Sequence, residues 1–140
     1  MSDSEPGCQF CLGNSQLVDA PLFANDTCYF LGSVDPILPH AGMIIPFRHS
    51  ATPFELNADE WSDVFDLLQR ARTHLSAAKP DGFTIGWNVG AAAGQAIGHA
   101  HLHVIARFGD EPFAGQGLRH HIKQASNRRP TGSIQPSESR

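Results

Sequence analysis

Along the chain, apolar and polar positions follow two rhythms, and each predicts its own kind of element. Trp61, Val64, Phe65, Leu68, Ala71 and Leu75 recur at the spacing of an amphipathic helix with one face on a core. Asn57 with Glu60 three residues later has the form of an N-cap and its reciprocal partner, and Leu56 and Trp61 are placed as a hydrophobic staple. Lys79-Pro80 ends the run. Four shorter apolar runs, Thr27–Leu31, Gly42–Phe47, Gly82–Val89 and His99–Ala106, read as strands. Pro46 places the second at a sheet edge or at the strand's own end. Strands on both sides of one long helix predict an α+β fold, an antiparallel sheet of about five strands with that helix packed on one face.

No internal repeat or heptad interrupts this reading. From Gln124 onward the sequence turns polar and turn-rich, with Ile134 its single aliphatic residue apart from Ala125. Such a segment buries too little surface to offset its ordering entropy. The expected organisation is one folded domain over residues 1–123 and a disordered tail over 124–140.

Hydrophobic residues make up 41% of the chain and charged residues 17%, which excludes a wholly disordered protein. No apolar stretch approaches the roughly 18 residues of a membrane span. The opening MSDSEPG lacks the basic and apolar regions of a secretory signal. A soluble, cytoplasmic protein with no membrane partner is expected. The net charge of −4 disfavours a nucleic-acid polymer as partner. The tail alone carries +2, from Arg128, Arg129 and Arg140 against Glu138, so any phosphate site in the domain must be built locally. Three cysteines exclude a dense disulfide framework.

Eight histidines remain to be placed, and three of them fall in His99-Ala100-His101-Leu102-His103-Val104-Ile105. On a strand, alternation sends the three imidazoles to one face and Ala100, Leu102 and Val104 to the core. A single three-histidine metal centre is disfavoured by distance. The outer two positions lie about 13 Å apart at roughly 3.3 Å per residue, and zinc–nitrogen bonds are only about 2 Å. Upstream, Asn88 to Gly98 is a strand end leading into a Gly/Ala loop, in which Gly90, Gly94 and Gly98 permit close approach of backbone N–H groups to an anion. Asn88 and Gln95 bring amide donors beside it. Joined to three co-facial histidines, this loop looks like a phosphate cradle next to a nucleophile and proton donors. His74, His120 and His121 read as exposed polar residues.

The stretch NVGAAAGQAIGHAHLHVIARF resembles the signature of the histidine triad family, His-φ-His-φ-His-φ-φ with φ apolar. The likeness extends through VDPILPHAGMIIPFRH, the opening CQFC and the later DEPFAGQGLRHHI, covering roughly Cys8 to Lys123. The resemblance implies a small dimeric α+β protein that binds nucleotides and cleaves at a nucleoside α-phosphate. By position, His101 is then the nucleophile that forms a covalent nucleotidyl-histidine, with its other nitrogen protonated and held by an acceptor. His103 donates to phosphate oxygens, while Asn88, Gly94 and Gln95 bind and orient the phosphate. The sequence departs from the family pattern at Ala96, where many members have Ser or Thr, and at Ala41, where many have His. Ser33 takes the place of a ribose-binding aspartate, with Asp35 its nearest acidic neighbour. These departures motivate a second reading, a non-catalytic nucleotide-binding module.

Cys8-Gln9-Phe10-Cys11 has the spacing of a zinc knuckle and needs two further ligands, which must be histidines. Cys28, in a candidate strand, reads as a buried apolar residue. The resemblance supplies the ligands as His49 and His99, giving a structural zinc held by Cys8, Cys11, His49 and His99. A third reading, a structural zinc protein with a secondary triad, rests on this pair.

Overall fold

The computed structural model describes residues 4–131. Five strands follow the chain as β1 (Phe23–Ala24), β2 (Cys28–Gly32), β3 (Ala41–Pro46), β4 (Gly82–Trp87) and β5 (Leu102–Arg107). They pair antiparallel in one sheet of order β1-β2-β3-β5-β4. Helix α1 (Ala58–Leu75) joins β3 to β4, and a short α2 (Leu118–Ile122) follows β5. The α+β architecture expected from the pattern is the one observed. Its consequence for the site is that β5 is an inner strand, with His103 opposite Met43 on one side and Gly86 on the other.

The start of α1 is fixed as its sequence announces. Asn57 Oδ1 accepts the Glu60 N–H at 2.8 Å, and the Glu60 carboxylate accepts the Asn57 N–H at 2.9 Å. The same carboxylate receives Nε and Nη2 of Arg48 at 2.9 and 2.7 Å. These bonds hold Glu60 below its ordinary carboxyl range in spite of its burial. The far end turns through Ser76–Ala78 and reverses at Lys79, whose φ is +58°.

The core stripe of α1 differs from the expected one. Val64, Leu67, Ala71 and Leu75 are buried against Phe30, Ile44, Leu102, Val104 and Ala106, while Trp61 and Phe65 stay 44% and 59% exposed. The helix lies over β2, β3 and β5, so its aromatic flank overhangs the edge strand β4, where Trp61 meets Trp87 edge-on at 5.7 Å between ring centroids.

The opposite sheet face is covered as well, beyond the one-face packing expected from the strand pattern. Phe10, Tyr29, Leu31 and Ile45 form a second apolar cluster, joined by Leu12, Leu17, Met43, Phe47 and Ile97. The Tyr29 hydroxyl donates to the Phe10 carbonyl at 2.6 Å and pins the N-terminal segment to β2. Strand β3 approaches its neighbour closely at Gly42, where a Cβ would sit 2.7 Å from Phe30 Cε1 and 2.8 Å from the Leu31 carbonyl oxygen. Of the segment expected to be a tail, residues 124–131 are exposed and contain one 3-10 turn at Ala125–Asn127, and 132–140 lie outside the described residues.

Candidate functional site

The histidine run does not continue as one strand. β5 begins only at Leu102, which corrects the expected start at His99. Before it, the Ala100 N–H donates to the Ser50 carbonyl at 2.7 Å and the His99 N–H to that of Ile97 at 2.8 Å, bonds that belong to a loop and not to a ladder. This irregular backbone lets the imidazoles serve two places. His99 turns fully inward toward the cysteines, whereas His101 and His103 line a cavity, their ring centroids 5.0 Å apart.

The hydrogen bonds fix both relevant tautomers. His101 Nδ1 lies 2.7 Å from the His99 carbonyl oxygen. A carbonyl only accepts, so Nδ1 carries the proton and Nε2 of the neutral ring carries the lone pair. His99 is held the other way round. Its Nε2 lies 2.8 Å from the Pro46 carbonyl oxygen, so Nε2 is the N–H and Nδ1 the lone-pair nitrogen. Burial pushes His99 down to about 4, overcoming the opposing Pro46 bond, with the neighbouring His49 and His101 adding to the fall. Burial, and then the charge of His101, also lowers His103.

Nδ1 of His99 faces the two sulfurs, 3.4 Å from Cys8 Sγ and 3.6 Å from Cys11 Sγ, and His49 Nδ1 lies 3.4 Å from Cys11 Sγ. The four donor atoms all fall within 4.8 Å of one another. Tetrahedral zinc, with Zn–S about 2.3 Å and Zn–N about 2.0–2.1 Å, places sulfur and nitrogen about 3.6 Å apart. The donor set thus suits a metal in both chemistry and spacing. The Pro46 carbonyl, through its bond to Nε2, turns the His99 Nδ1 lone pair toward the two sulfurs. Burial raises the Cys11 thiol, a cost that a bound cation would reverse.

Beside His101 and His103 opens a cavity of about 410 Å³. One wall is the N-terminal segment, with Phe10, Leu17 and Val18; the other comes from β2, β3 and their connection, with Leu31, Ser33, Asp35 and Met43. Ala96 and Ile97 close the histidine end. An apolar slot lined also by two imidazoles, a hydroxyl and a carboxylate can take a flat apolar ring with its anionic group against the imidazoles.

The phosphate-loop residues sit apart from this cavity. Gln95 spends its amide on the loop itself. Its Nε2 donates to the Ala51 and Ile97 carbonyls at 2.7 and 3.1 Å, and its Oε1 accepts the Gly90 N–H at 2.8 Å. Gly94, at φ +93°, supplies the left-handed turn that this closure requires. Asn88 is exposed just past β4. Sequence reasoning did not single out Phe10, which is 2% exposed and packs edge-on to His101 and His99 at centroid distances of 5.2 and 6.1 Å. Its position between two cysteines was the available signal.

Residues 15–110 match the family model of the HIT domain. The chain is 29% identical over 85 residues to an AP-4-A phosphorylase of Mycobacterium tuberculosis, covering 59% of this chain and 44% of that protein. It is 33% identical over 119 residues to an adenylylsulfatase of Arabidopsis thaliana, covering 81% of this chain and 58% of the relative. The chain therefore spans about half the length of these curated relatives. Among solved structures, a HIT family protein from Bacillus anthracis superposes with a TM-score of 0.71 at 23% identity, over 89% of this chain and 91% of its own. The protein SMU.412c from Streptococcus mutans gives 0.72 at 23% identity, over 86% and 78%. With a family match across most of its length and the triad in place on the matching fold, this chain belongs to the histidine triad (HIT) family.

Proposed function

We propose that the protein is a nucleotidyl hydrolase or transferase that cleaves at a nucleoside α-phosphate through His101. The observation that carries this reading is the 2.7 Å bond from His101 Nδ1 to the His99 carbonyl, beside a nucleoside-sized cavity. The Nε2 lone pair attacks the α-phosphorus, the bond to the leaving group breaks, and a nucleotidyl-histidine forms. Water or another acceptor then attacks the same phosphorus and releases His101 unchanged. As Nε2 bonds to phosphorus the ring becomes cationic, and the His99 carbonyl stabilises the Nδ1 proton that remains. His103 steadies phosphate oxygens. Gly94 and Gln95 shape the loop that carries Ala96 and Ile97 to the histidine end, and Asn88, exposed past β4, is the amide assigned to the phosphate from outside the cavity. Ser33 and Asp35, which line the same cavity, are the groups we assign to the ribose. The relatives named for phosphorylase, adenylylsulfatase and 5'-monophosphoramidase activities define the substrates to try first.

The test is to trap the adduct. Acid-quenched mass spectrometry with an adenosine phosphoramidate or dinucleoside polyphosphate is expected to find one adenylyl group on His101. His101→Ala should lose the adduct and on the order of 10⁴-fold in turnover. Undiminished turnover in that variant overturns the mechanism. A second reading, a binding module without turnover, is favoured by Ala96, which offers a leaving group no hydroxyl at the histidine end. Nucleotide binding with no hydrolysis of any substrate would select it.

Zinc is the metal we assign to Cys8, Cys11, His49 and His99, as a closed four-ligand structural site that ties the N-terminal segment to the loop carrying His99 and His101. We also propose a homodimer in the cytoplasm. The edge strand β4 carries Ile85 at 44% exposure beside the exposed Trp61 and Phe65, and the described cysteines form no disulfide with one another. No helix among the described residues is long and apolar enough to cross a membrane. Sedimentation at micromolar concentration should give about twice the 15.2 kDa chain mass, and a monomer mass rejects the dimer.

A further inference from the structure

We infer that Phe10 is a positioning residue that transmits the state of the Cys/His cluster to the imidazole of His101. This rests on the reading of His101 as the nucleophile. Phe10 lies between two cluster residues, Cys8 and Cys11, so its backbone cannot move independently of the cluster. Its carbonyl is held from the other side by the Tyr29 hydroxyl at 2.6 Å. Its ring meets His101 at 5.2 Å with planes 76° apart, and His99 at 6.1 Å with planes 82° apart.

The His101 ring turns about its Cβ–Cγ bond, and the hydrogen bond from Nδ1 resists that rotation at one edge of the ring only. An edge-to-face neighbour with a fixed backbone opposes this rotation, because the preference of aromatic pairs for that arrangement is directional. His103 bounds the ring on another side, at 5.0 Å and 74°. Phe10 also lines the cavity, so the group that orients the attacking nitrogen forms part of the nucleoside wall. Closing the cluster around a metal thereby sets the direction of the Nε2 lone pair. Opening it removes one of the two holds on Phe10, leaving the Tyr29 bond, and so loosens the ring.

Phe10→Leu in the full, zinc-loaded chain separates orientation from space filling, because leucine keeps apolar bulk and removes the ring. Zinc content, melting temperature, solvent exchange of the His101 Nδ1 proton by NMR, and turnover of an adenosine phosphoramidate are measured together. The expected result is retained zinc, faster exchange of that proton, and a kcat lowered about three- to tenfold, by more than KM rises. Unchanged proton exchange and kcat with zinc retained overturn the inference. Should the variant fail to fold, wild-type protein titrated with a chelator decides. Exchange of the Nδ1 proton must quicken before the far-UV signal changes, and exchange that stays constant refutes the coupling. The proton readout needs no substrate. A wild-type chain without turnover therefore defeats the proposed enzyme alone, and the exchange data still decide the role of Phe10.

Discussion

Glu60→Ala tests how the helix is coupled to the cluster. The Glu60 carboxylate is 3% exposed, receives two bonds from Arg48 and accepts the Asn57 N–H. Arg48 precedes the cluster residue His49, so the pair fixes the chain where it leaves β3. Removing one partner of a buried pair costs about 3–5 kcal/mol. The Arg48 side chain is 34% exposed and regains water on one side, which reduces that term to about 2 kcal/mol. Loss of the reciprocal cap adds about 1 kcal/mol. A total of about 3 kcal/mol corresponds to a fall in melting temperature of about 10 °C for a chain of this size. Glu60→Gln keeps an acceptor for Asn57 and should lose about half as much. The folded-state carboxyl titrates below its unfolded value of about 4.3. Its contribution is thus fully present above that value and is lost as the pH falls through the lower folded one. Calorimetric melting at pH 7 should separate wild type from Glu60→Gln, and the gap should narrow progressively as the pH is lowered below that unfolded value. A shift below about 3 °C for Glu60→Ala, or a gap between wild type and Glu60→Gln that ignores pH, refutes the reasoning.

Cys8→Ser is expected to lower zinc content and melting temperature together, with a smaller loss of activity; zinc well under half an equivalent in wild-type protein purified without chelator would remove the metal from the account. Gly42→Ala should destabilise by about 1–3 kcal/mol, since the added methyl group meets both the Phe30 ring and the Leu31 carbonyl, and a denaturant midpoint equal to wild type would contradict the close approach. His103→Ala should reduce kcat on the order of 10²-fold with AMP affinity held within a few-fold. A loss in AMP affinity with kcat unchanged would make His103 a ground-state contact only.

Local rules carried the sequence reading furthest where the controlling atoms lie close in the chain. Asn57 and Glu60 specify their cap within three residues, and the cap is present. Strands β2 to β4 lie within one or two residues of their expected bounds. The start of β5 was misplaced because its determinants are distant. Ser50 takes the Ala100 N–H and Pro46 takes the His99 ring, and neither bond leaves a mark in the alternation of residues 99–106. β1 has two residues, Phe23 and Ala24, too few for any period to register. On α1 the spacing named the helix but assigned Trp61 and Phe65 to the core, because only the placement of β4 determines which flank is covered. The Cys and His residues of the cluster were legible as ligand types, and the 4.8 Å grouping gives them their geometry. Gln95 was legible as an amide beside the loop, but not as one whose donors are spent on Ala51 and Ile97.

The inner position of β5 sets a hierarchy of opening within the site. Its residues Leu102–Ile105 pair with β3 on one side and β4 on the other, so this stretch exchanges its protons only when the sheet as a whole comes apart. Residues 90–98 are tied chiefly by one glutamine and a single turn, and open at much lower free energy. The ligand cavity is therefore bounded by the slowest-exchanging and among the fastest-exchanging parts of the molecule. Nucleotide binding should leave β5 unchanged in a deuterium-exchange map and appear as slowed exchange in the N-terminal wall, the β2–β3 connection and the loop around Ala96 and Ile97.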